Sequence, residues 1–314
     1  MNSRIAILGY GNQGRPWALN LRDSGWSVTI LARPHGPSAT RAAQDGFNVD
    51  PPDRLGDHPV IALLIPDDEI ANFAKDHGAR LRGGQSLLFA HGYALHFRTA
   101  HFPDDVDLIL LAPKGIGVKV REEFLAGRGV PSAISVHRDA SGNARSTLEA
   151  VARGLGSERA GLYPTSVREE VETDLFSEQA LLCGGIPALV HKAFEILVAK
   201  GVDPKIAYLE CVHELGFMAE LFQRRGFHRT LQGASPTAIF GGAKAAPRIV
   251  DSAVVASLES LYDDIHAGRF AKNLADEASR SYPSVREYLR SLREDPLEAA
   301  GHAVRQTLYP GEEP

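Results

Sequence analysis

The sequence predicts an α/β domain, with a parallel sheet covered by helices on both faces, followed by an all-helical domain. In the first half, short continuous apolar runs alternate with segments of helical spacing, a pattern typical of parallel strands buried on both faces. After about Arg168 the spacing is helical almost throughout. We therefore expect a first domain over residues 1–165 and a second over residues 166–314.

Six short, β-rich apolar runs are the expected strands of the first domain. They are Arg4–Leu8, Val28–Leu31, Val60–Ile65, Ser86–Ala90, Leu108–Ala112 and Ala133–Val136. In the second domain we expect helices at roughly 170–183, 186–200, 204–225 and 247–266. Asp203 followed by Pro204 is typical of a helix start, with the aspartate as the cap.

Composition and charge exclude several classes of protein. The chain has 314 residues, of which 44% are hydrophobic and 23% charged, as in globular proteins. A formal net charge of -5 gives no electrostatic reason to expect nucleic acid or an anionic membrane as a partner. No apolar run reaches the roughly 18 residues of a membrane span, and we expect no leader before the first strand. The two cysteines, Cys183 and Cys211, form no Cys-x-x-Cys pair, so we expect a cytoplasmic protein.

A glycine-rich hexapeptide directly follows the first expected strand and opens a helix. It consists of Gly9, Tyr10, Gly11, Asn12, Gln13 and Gly14. Gly9 permits a tight turn, Gly11 lets a pyrophosphate approach the backbone, and Gly14 lets the helix pack closely on the strand. The helix N-terminus then offers free N–H groups to the phosphates. In this setting the motif predicts a dinucleotide site.

The end of the second strand indicates which dinucleotide is bound. An acidic residue there would hydrogen-bond the ribose hydroxyls of NAD, but this strand ends in Ala32-Arg33, and Pro34–Ser38 contains no carboxylate. Arg33 can pair with a 2′-phosphate, and Ser38 can add a hydrogen bond. The sequence therefore favours NADPH over NADH. A solvated Arg33 that only stacks on the adenine remains the alternative.

Two pairs of acidic residues are spaced four apart in the helical half. Asp174 and Glu178 form one pair, and Glu210 and Glu214 form the other. Residues i and i+4 share a helix face, so each pair can direct two carboxylates at one point. Like charges repel unless a cation, a proton or a basic side chain compensates, and oxygen ligands suit magnesium. The pattern predicts a two-metal site, although a solvated helix face remains the alternative for either pair alone.

Six segments of the chain occur in an order and spacing known from one enzyme family. They are Tyr10–Gly14, Phe89–Gly92, Ala112–Gly115, Glu172–Ala180, Leu182–Gly185 and Glu210–Leu215. Together they resemble the ketol-acid reductoisomerases of the short, class I type, over most of the chain. The resemblance implies a Rossmann domain followed by an all-helical, knotted domain that forms a homodimer or a higher homo-oligomer. It also implies magnesium-dependent alkyl migration in a keto acid such as acetolactate, followed by reduction with NADPH to a dihydroxy acid.

The resemblance assigns the acidic pairs to metal binding. Asp174 and Glu178 match ligands of two Mg²⁺ ions, with Asp174 the expected bridge. Glu210 and Glu214 match acidic positions that, in the family, reach the site from the partner subunit.

Other positions match the family's catalytic, substrate-binding and cofactor-binding residues. The catalytic matches are His91, Lys114 and Glu178, the last as an acid or base. The match for the serine that binds the substrate carboxylate is Ser235. The cofactor contacts beyond the glycine turn are Arg33, Ser38, Asp67 and Gly117.

Some positions near the expected pocket depart from the family pattern. Gly36 stands where a serine is frequent, Gly216 where a lysine is usual, and Ile239 where an acid is usual, while Pro236 stiffens the segment after Ser235. These changes leave two alternatives open. The first is a family offshoot that reduces a different keto acid or an imine. The second is a catalytically silent NADP-binding regulator, whose mark would be loss of the four carboxylates that this chain retains.

Overall fold

The computed structural model of the chain describes residues 3–311. Contacts divide it into two units, Met1–Thr173 and Asp174–Pro314, and this division falls inside the helix Val167–Ser177. The boundary expected near residue 165 lies in the linker that precedes the same helix. The two divisions therefore differ in the unit to which the first turns of this helix are assigned.

One eight-stranded sheet forms the centre of the first unit. Its strands are β1 Arg4–Leu8, β2 Ser27–Leu31, β3 Asn48–Asp50, β4 Val60–Leu63, β5 Ser86–Phe89, β6 Asp107–Pro113, β7 Ser132–Arg138 and β8 Leu162–Pro164. The strand order is β3-β2-β1-β4-β5-β6-β7-β8. The first three strands are added towards one edge and the later strands towards the other, so the topological switch point lies between β1 and β4. All six strands expected from the sequence are present. The short strands β3 and β8 were not predicted.

The strand β7 runs antiparallel to β6, whereas every other neighbouring pair of the sheet is parallel. The expected parallel sheet is therefore confirmed, with one antiparallel pair that the sequence did not indicate. The physical reason is that a continuous apolar run indicates burial on both faces and carries no information about strand direction. All seven residues of β6 are buried, and the antiparallel partner covers one of its edges.

Six helices belong to the first unit alone. They are α1 Gly14–Asp23, α2 Pro37–Gln44, α3 Asp67–His77, α4 Tyr93–His96, α5 Gly117–Leu125 and α6 Ala144–Leu155, with short 3-10 turns at Pro52–Asp57, Gly78–Arg80 and Ser157–Arg159. Their apolar faces are buried against the sheet, as Trp17 and Leu21 of α1 and Leu148 of α6 show, each fully buried in one cluster with Ile7 and Ile109. This core fixes the strand ends from which the functional side chains project.

The second unit is helical throughout its described residues, which confirms the expected all-helical half. The helices are α7 Val167–Ser177, which begins in the first unit, α8 Gly185–Ala199, α9 Pro204–Tyr208, α10 Glu214–Arg225, α11 Phe227–Gln232, α12 Pro236–Ile249, α13 Ser252–His266, α14 Arg269–Ser279, α15 Pro283–Arg293 and α16 Pro296–Leu308. Asp203 caps α9 as expected and accepts a hydrogen bond from the Lys205 amide at 2.8 Å. The helix expected over roughly 247–266 corresponds to α13, which begins later than expected because the Asp251 carboxylate caps its start, and residues 247–249 belong to the end of α12. The knot remains a prediction.

Two π-helical turns interrupt the helices of the second unit. They cover Glu178–Leu182 and Leu209–His213. In these turns the hydrogen bond runs from residue i to i+5, and such turns are frequent at functional sites. Both lie where the sequence places its paired carboxylates.

Large apolar side chains are exposed on the second unit. Examples are Leu182 at 63%, Leu189 at 55%, Phe227 at 69% and Phe240 at 68% exposure. By length and composition the helical stretch Val167–Ala199, with 33 residues and a hydropathy of 1.6, could cross a membrane. That is a weak indication, because core helices of other proteins meet the same criterion. The expectation that no membrane is involved therefore remains a prediction.

Candidate active site

The glycine turn lies at the carboxyl end of β1, where the strand order switches. Gly9 has a φ of 96°, and a Cβ atom there would lie 2.4 Å from the Leu64 carbonyl oxygen. A Cβ on Gly14 would lie 2.0 Å from the Gly9 carbonyl oxygen, whereas one on Gly11 would meet nothing within 4 Å. Gly9 and Gly14 therefore permit close packing, and Gly11 leaves space for an approaching group.

Asn12 and Gln13 connect the glycine turn to the segment before α5. Gln13 Nε2 donates to the Gly115 carbonyl at 3.0 Å, and the Gly117 amide donates to Asn12 Oδ1 at 3.1 Å. A Cβ on Gly117 would lie 1.7 Å from the Asn12 carbonyl oxygen, so the two segments touch through backbone. Among the described residues no side chain caps the start of α1, which leaves its first N–H groups available to an anion.

The side chain of Tyr10 is directed into the protein. It is 1% exposed, and its hydroxyl donates to Asp45 Oδ2 at 2.8 Å. Hydrogen bonds from Arg15, at 2.7 Å and 3.0 Å, lower the pKa of Asp45 to about 2. Burial is the main cause that raises the pKa of Tyr10 above its ordinary value. A contact of Tyr10 with a cofactor can therefore come only from its backbone.

A cleft of about 440 Å³ extends from the glycine turn along the end of β2. Its wall includes Gly9, Arg33, Gly36, Ser38 and His77. The Arg33 side chain is exposed and makes no hydrogen bond or ion pair with any residue that the structure describes. Its guanidinium is therefore available to an anionic group, as is the Ser38 hydroxyl on the same wall.

Three predicted site residues follow three adjacent strands. Asp67 opens α3 after β4, His91 follows β5, and Lys114 follows β6. Carboxyl ends of adjacent parallel strands meet at one edge of a sheet, where ligands of open α/β sheets bind. His91 Nδ1 lies 3.2 Å from Asp67 Oδ2, so Asp67, expected as a cofactor contact, is placed where it can orient the imidazole.

A carboxylate that the sequence analysis missed lies at the centre of this group. Glu170 is 2% exposed, accepts from Lys114 Nζ at 2.8 Å through Oε1, and accepts from the Gly92 amide at 3.1 Å through Oε2. A Cβ on Gly92 would lie 2.9 Å from Val167 Cγ1, so a glycine lets α7 approach closely. The available signal was the spacing of Glu170, Asp174 and Glu178, which extends the four-residue repeat by one turn.

Potential metal ligands adjoin this carboxylate. The ligand atoms of His91 and Glu170 lie within 4.8 Å of each other, and so do those of Glu170 and Asp174 on the same helix. Asp174 is half-buried, whereas Glu178 is exposed at the start of the first π turn. The two carboxylates of Glu170 and Asp174 offer the oxygen ligands that a hard divalent cation prefers.

The second acidic pair, Glu210 and Glu214, lies outside the group of potential ligands that contains Asp174. Glu210 lies in the π turn Leu209–His213, Glu214 begins α10, and both are exposed. Within residues 3–311, no group of three potential ligands contains Glu178, Glu210 or Glu214. Their role as metal ligands remains a prediction.

Ser235 has a structural role within the chain. It is exposed and caps α12, since its Oγ accepts from the Ala238 amide at 3.2 Å. The departures Pro236 and Ile239 lie in the first turns of the same helix, and Ile239 is 42% exposed. Binding of a substrate carboxylate by Ser235 remains a prediction.

Comparison with known proteins decides the family. The family model "Acetohydroxy acid isomeroreductase, NADPH-binding domain" matches residues 1–161, and the model "Ketol-acid reductoisomerase, C-terminal domain" matches residues 167–309. The chain belongs to the ketol-acid reductoisomerase family. Two curated ketol-acid reductoisomerases (NADP(+)) are similar to it over 97% of its length: the protein from Pyrobaculum calidifontis at 41% identity and that from Xanthomonas oryzae pv. oryzae at 42%. The match covers 94% and 92% of those relatives.

Solved structures agree with this assignment. An NADH-preferring ketol-acid reductoisomerase from an uncultured archean matches with a TM-score of 0.93 and 32% identity, covering 97% of this chain and 94% of that one. A pyrroline-5-carboxylate reductase from Streptococcus pyogenes has a TM-score of 0.56 at 18% identity, over 84% of this chain and 98% of that one, and shows the fold alone. The sequence-based recognition of a ketol-acid reductoisomerase, with a Rossmann domain followed by a helical domain, is therefore confirmed.

Proposed function

We propose that this ketol-acid reductoisomerase converts a 2-hydroxy-2-alkyl-3-oxo acid, such as acetolactate, into a 2,3-dihydroxy acid. The C2 hydroxyl loses its proton as the alkyl group moves from C2 to C3, where the former carbonyl oxygen takes up a proton. A hydride and a proton then reduce the new C2 ketone. The proposal rests on one observation. Lys114 binds the buried Glu170 carboxylate near His91, at the carboxyl ends of β5 and β6. Asp174 follows Glu170 by one turn on the same helix.

Residues 1–165 form the proposed NADPH-binding domain. The open space at Gly11 and the uncapped start of α1 suit a pyrophosphate, and the guanidinium of Arg33 suits a 2′-phosphate. The names of the NADP(+) relatives support the same cofactor. NADH remains the less favoured alternative, and the NADH-preferring relative is a reason to measure both.

Residues 166–314 form the proposed metal-binding domain. Asp174 and Glu178 would hold two Mg²⁺ ions, with Asp174 as the bridge, and Glu210 and Glu214 of a second copy would complete the donor set. Bound Mg²⁺ supplies Lewis-acid polarisation of the ketol oxygens. The donor chemistry fits such an ion, since Asp174 and its neighbour Glu170 on the same helix offer oxygen atoms within 4.8 Å. Glu178, at the first turn past Asp174, is the proposed proton acceptor for the hydroxyl.

Protein side chains would position the reacting groups. Asp67 orients the imidazole of His91 through its contact at 3.2 Å. Glu170 fixes the Lys114 ammonium at 2.8 Å, where its positive charge can stabilise negative charge that develops on a substrate oxygen. Ser235 is the proposed contact for the substrate carboxylate.

The exposed apolar surface of the helical domain supports a homodimer or a higher homo-oligomer. Side chains such as Leu182, Leu189 and Phe240 are more than half exposed in a single copy, and large exposed apolar side chains are frequent at interaction sites. Both cysteines are free, which fits the proposed cytoplasmic location. Static light scattering at several concentrations tests the assembly, and a monomer at all of them would contradict it.

Turnover assays test the proposed reaction. With acetolactate, NADPH and Mg²⁺, the protein is expected to form dihydroxyisovalerate. Reduction of 3-hydroxy-3-methyl-2-oxobutanoate without conversion of acetolactate would instead favour a family offshoot, and NADPH binding without any turnover would favour a regulator. Asp174→Asn should abolish conversion of acetolactate and leave NADPH binding unchanged. Normal turnover in that variant would remove Asp174 from the metal site.

A further inference from the structure

A second cavity of the first unit lies apart from the nucleotide cleft. Its volume is about 480 Å³, within the roughly 300–1,000 Å³ of small-molecule sites. It shares no lining residue with the nucleotide cleft, and neither His91, Lys114 nor Glu170 lines it. Its wall comes from the end of α4 and the following loop, the end of β7 and the start of α7.

The wall of this cavity is rich in arginine and histidine side chains. They are His96, Arg98, His101, His137, Arg138 and Arg168, against one carboxylate, that of Asp104. Such an excess of one sign of charge in a concave surface attracts ions of the opposite sign.

Two of these arginines and one histidine already face a carboxylate. Arg138 Nη1 pairs with Asp104 at 3.2 Å, and its Nε donates to the Val106 carbonyl at 2.9 Å. Arg168 Nε pairs at 2.9 Å with Glu172, whose side chain is 5% exposed, and His96 Nε2 lies 3.8 Å from the same carboxylate. The nearby negative charges are therefore used by Arg138, Arg168 and His96.

The other arginine and the other two histidines have no hydrogen-bonding or ionic partner among the described residues. Within residues 3–311, the side chains of Arg98, His101 and His137 make no hydrogen bond or ion pair. Partial burial at the cavity wall, and then the charges of Arg138 and Arg98, lower the pKa of His137. Arg98 has a φ of 54°, a left-handed conformation that is unfavourable for a non-glycine residue and is enriched at functional sites. The cavity thus holds the guanidinium charge of Arg98 without an ion-pair partner among the described residues, beside the N–H groups of two imidazoles.

We propose that this cavity binds a phosphate-class dianion, either inorganic phosphate or the phosphoryl group of a small metabolite, independently of the dinucleotide. A guanidinium offers a fork of N–H donors that matches phosphate oxygens, and two imidazoles can contact the remaining oxygens. A singly charged planar carboxylate would leave part of this donor set unused. The site does not depend on the proposed reaction, so its test can fail or succeed separately.

The test measures binding of inorganic phosphate to the full chain by calorimetry, without magnesium and with NADP⁺ at saturation so that the nucleotide site is filled. Wild-type protein is expected to show saturable binding and to shift the ring NMR signals of His101 and His137. Arg98→Gly removes the guanidinium while glycine keeps the left-handed backbone accessible, so the fold is preserved. Loss of one charge-assisted contact should weaken binding about tenfold or more, and His137→Gln should do the same.

A matched control is Arg145→Ala, which removes an exposed arginine of α6 that pairs with Glu149 outside the cavity. It should leave phosphate affinity unchanged. Tighter binding of phenyl phosphate than of inorganic phosphate would support a phosphorylated metabolite, and equal binding would support the free ion. Equally tight binding of benzoate, no saturable binding, or unchanged affinity in both Arg98→Gly and His137→Gln would overturn the proposal.

Discussion

Replacing Glu170 with glutamine exchanges one carboxylate oxygen for an amide NH2 group in the buried centre of the candidate active site. The carboxylate is 2% exposed and bridges the Lys114 ammonium at 2.8 Å and the Gly92 amide at 3.1 Å. Glutamine keeps the shape and one acceptor oxygen, but it removes the negative charge that balances Lys114. Glu170→Gln should therefore leave the fold intact while it changes the position and the environment of the ammonium.

The size of the effect follows from these contacts. A hydrogen bond to a charged group contributes about 1.5–3 kcal/mol, so the free energy of unfolding should fall by about 2 kcal/mol. Lys114 is 37% exposed, so water can compensate part of its lost partner, and the larger loss of a fully buried pair is not expected. Turnover should fall further, about 100-fold or more, because a displaced charge no longer faces the reacting oxygens.

Glu172→Gln is the matched control. Glu172 is also buried, at 4% exposure, lies on the same helix and pairs with Arg168 at 2.9 Å. Urea unfolding should give similar losses of stability for the two variants. Steady-state kinetics with acetolactate, together with NADPH binding by fluorescence, should show the loss of turnover in Glu170→Gln alone. Wild-type turnover in a folded Glu170→Gln protein, or an equal loss in Glu172→Gln, would refute the reasoning.

Three further substitutions test other parts of the first domain. Gly117→Ala places a Cβ 1.7 Å from the Asn12 carbonyl oxygen, so the glycine turn must move and NADPH should bind about tenfold more weakly or worse, by fluorescence titration. Arg33→Ala should weaken NADPH binding about 10- to 100-fold and leave NADH binding unchanged, and an equal effect on both would show that Arg33 does not contact a 2′-phosphate. Asp45→Asn should destabilise the protein by about 1 kcal/mol at neutral pH. Because Arg15 lowers the pKa of Asp45 from 3.8 to about 2, that difference should be present above pH 3.8 and disappear as the pH falls towards 2, as followed by urea unfolding. A difference independent of pH would contradict the ion-pair interpretation.

Local spacing was sufficient to predict the nucleotide-binding turn and much of the secondary structure. The glycine turn, the six longer strands and the Asp203 cap all depend on residues close together in the chain. Weaker local patterns were missed or misplaced by a few residues. The three-residue strands β3 and β8 are too short for a clear period, and the break between α12 and α13 depends on the single cap at Asp251.

Sequence patterns did not predict which residues from distant parts of the chain contact each other. Glu170 and Lys114 are separated by 56 positions, and their contact follows from the path of α7 past Gly92. In the same way, the sequence offers no reason for Ala300 and Val304 of α16 to pack against Tyr208. Such contacts depend on the packing of whole elements, which residue spacing along one element does not encode.

By itself the sequence determined the family, the nucleotide-binding turn and the carboxylates available to a metal, because each depends on residue type and short-range spacing. The tertiary structure decided which of those groups meet. It placed Asp67 against His91, buried Glu170 against Lys114, and left Glu210 and Glu214 exposed in a single copy. It also decided the antiparallel direction of β7. The physical reason is that burial and pairing arise from long-range packing, whereas strand and helix patterns record only which faces are apolar.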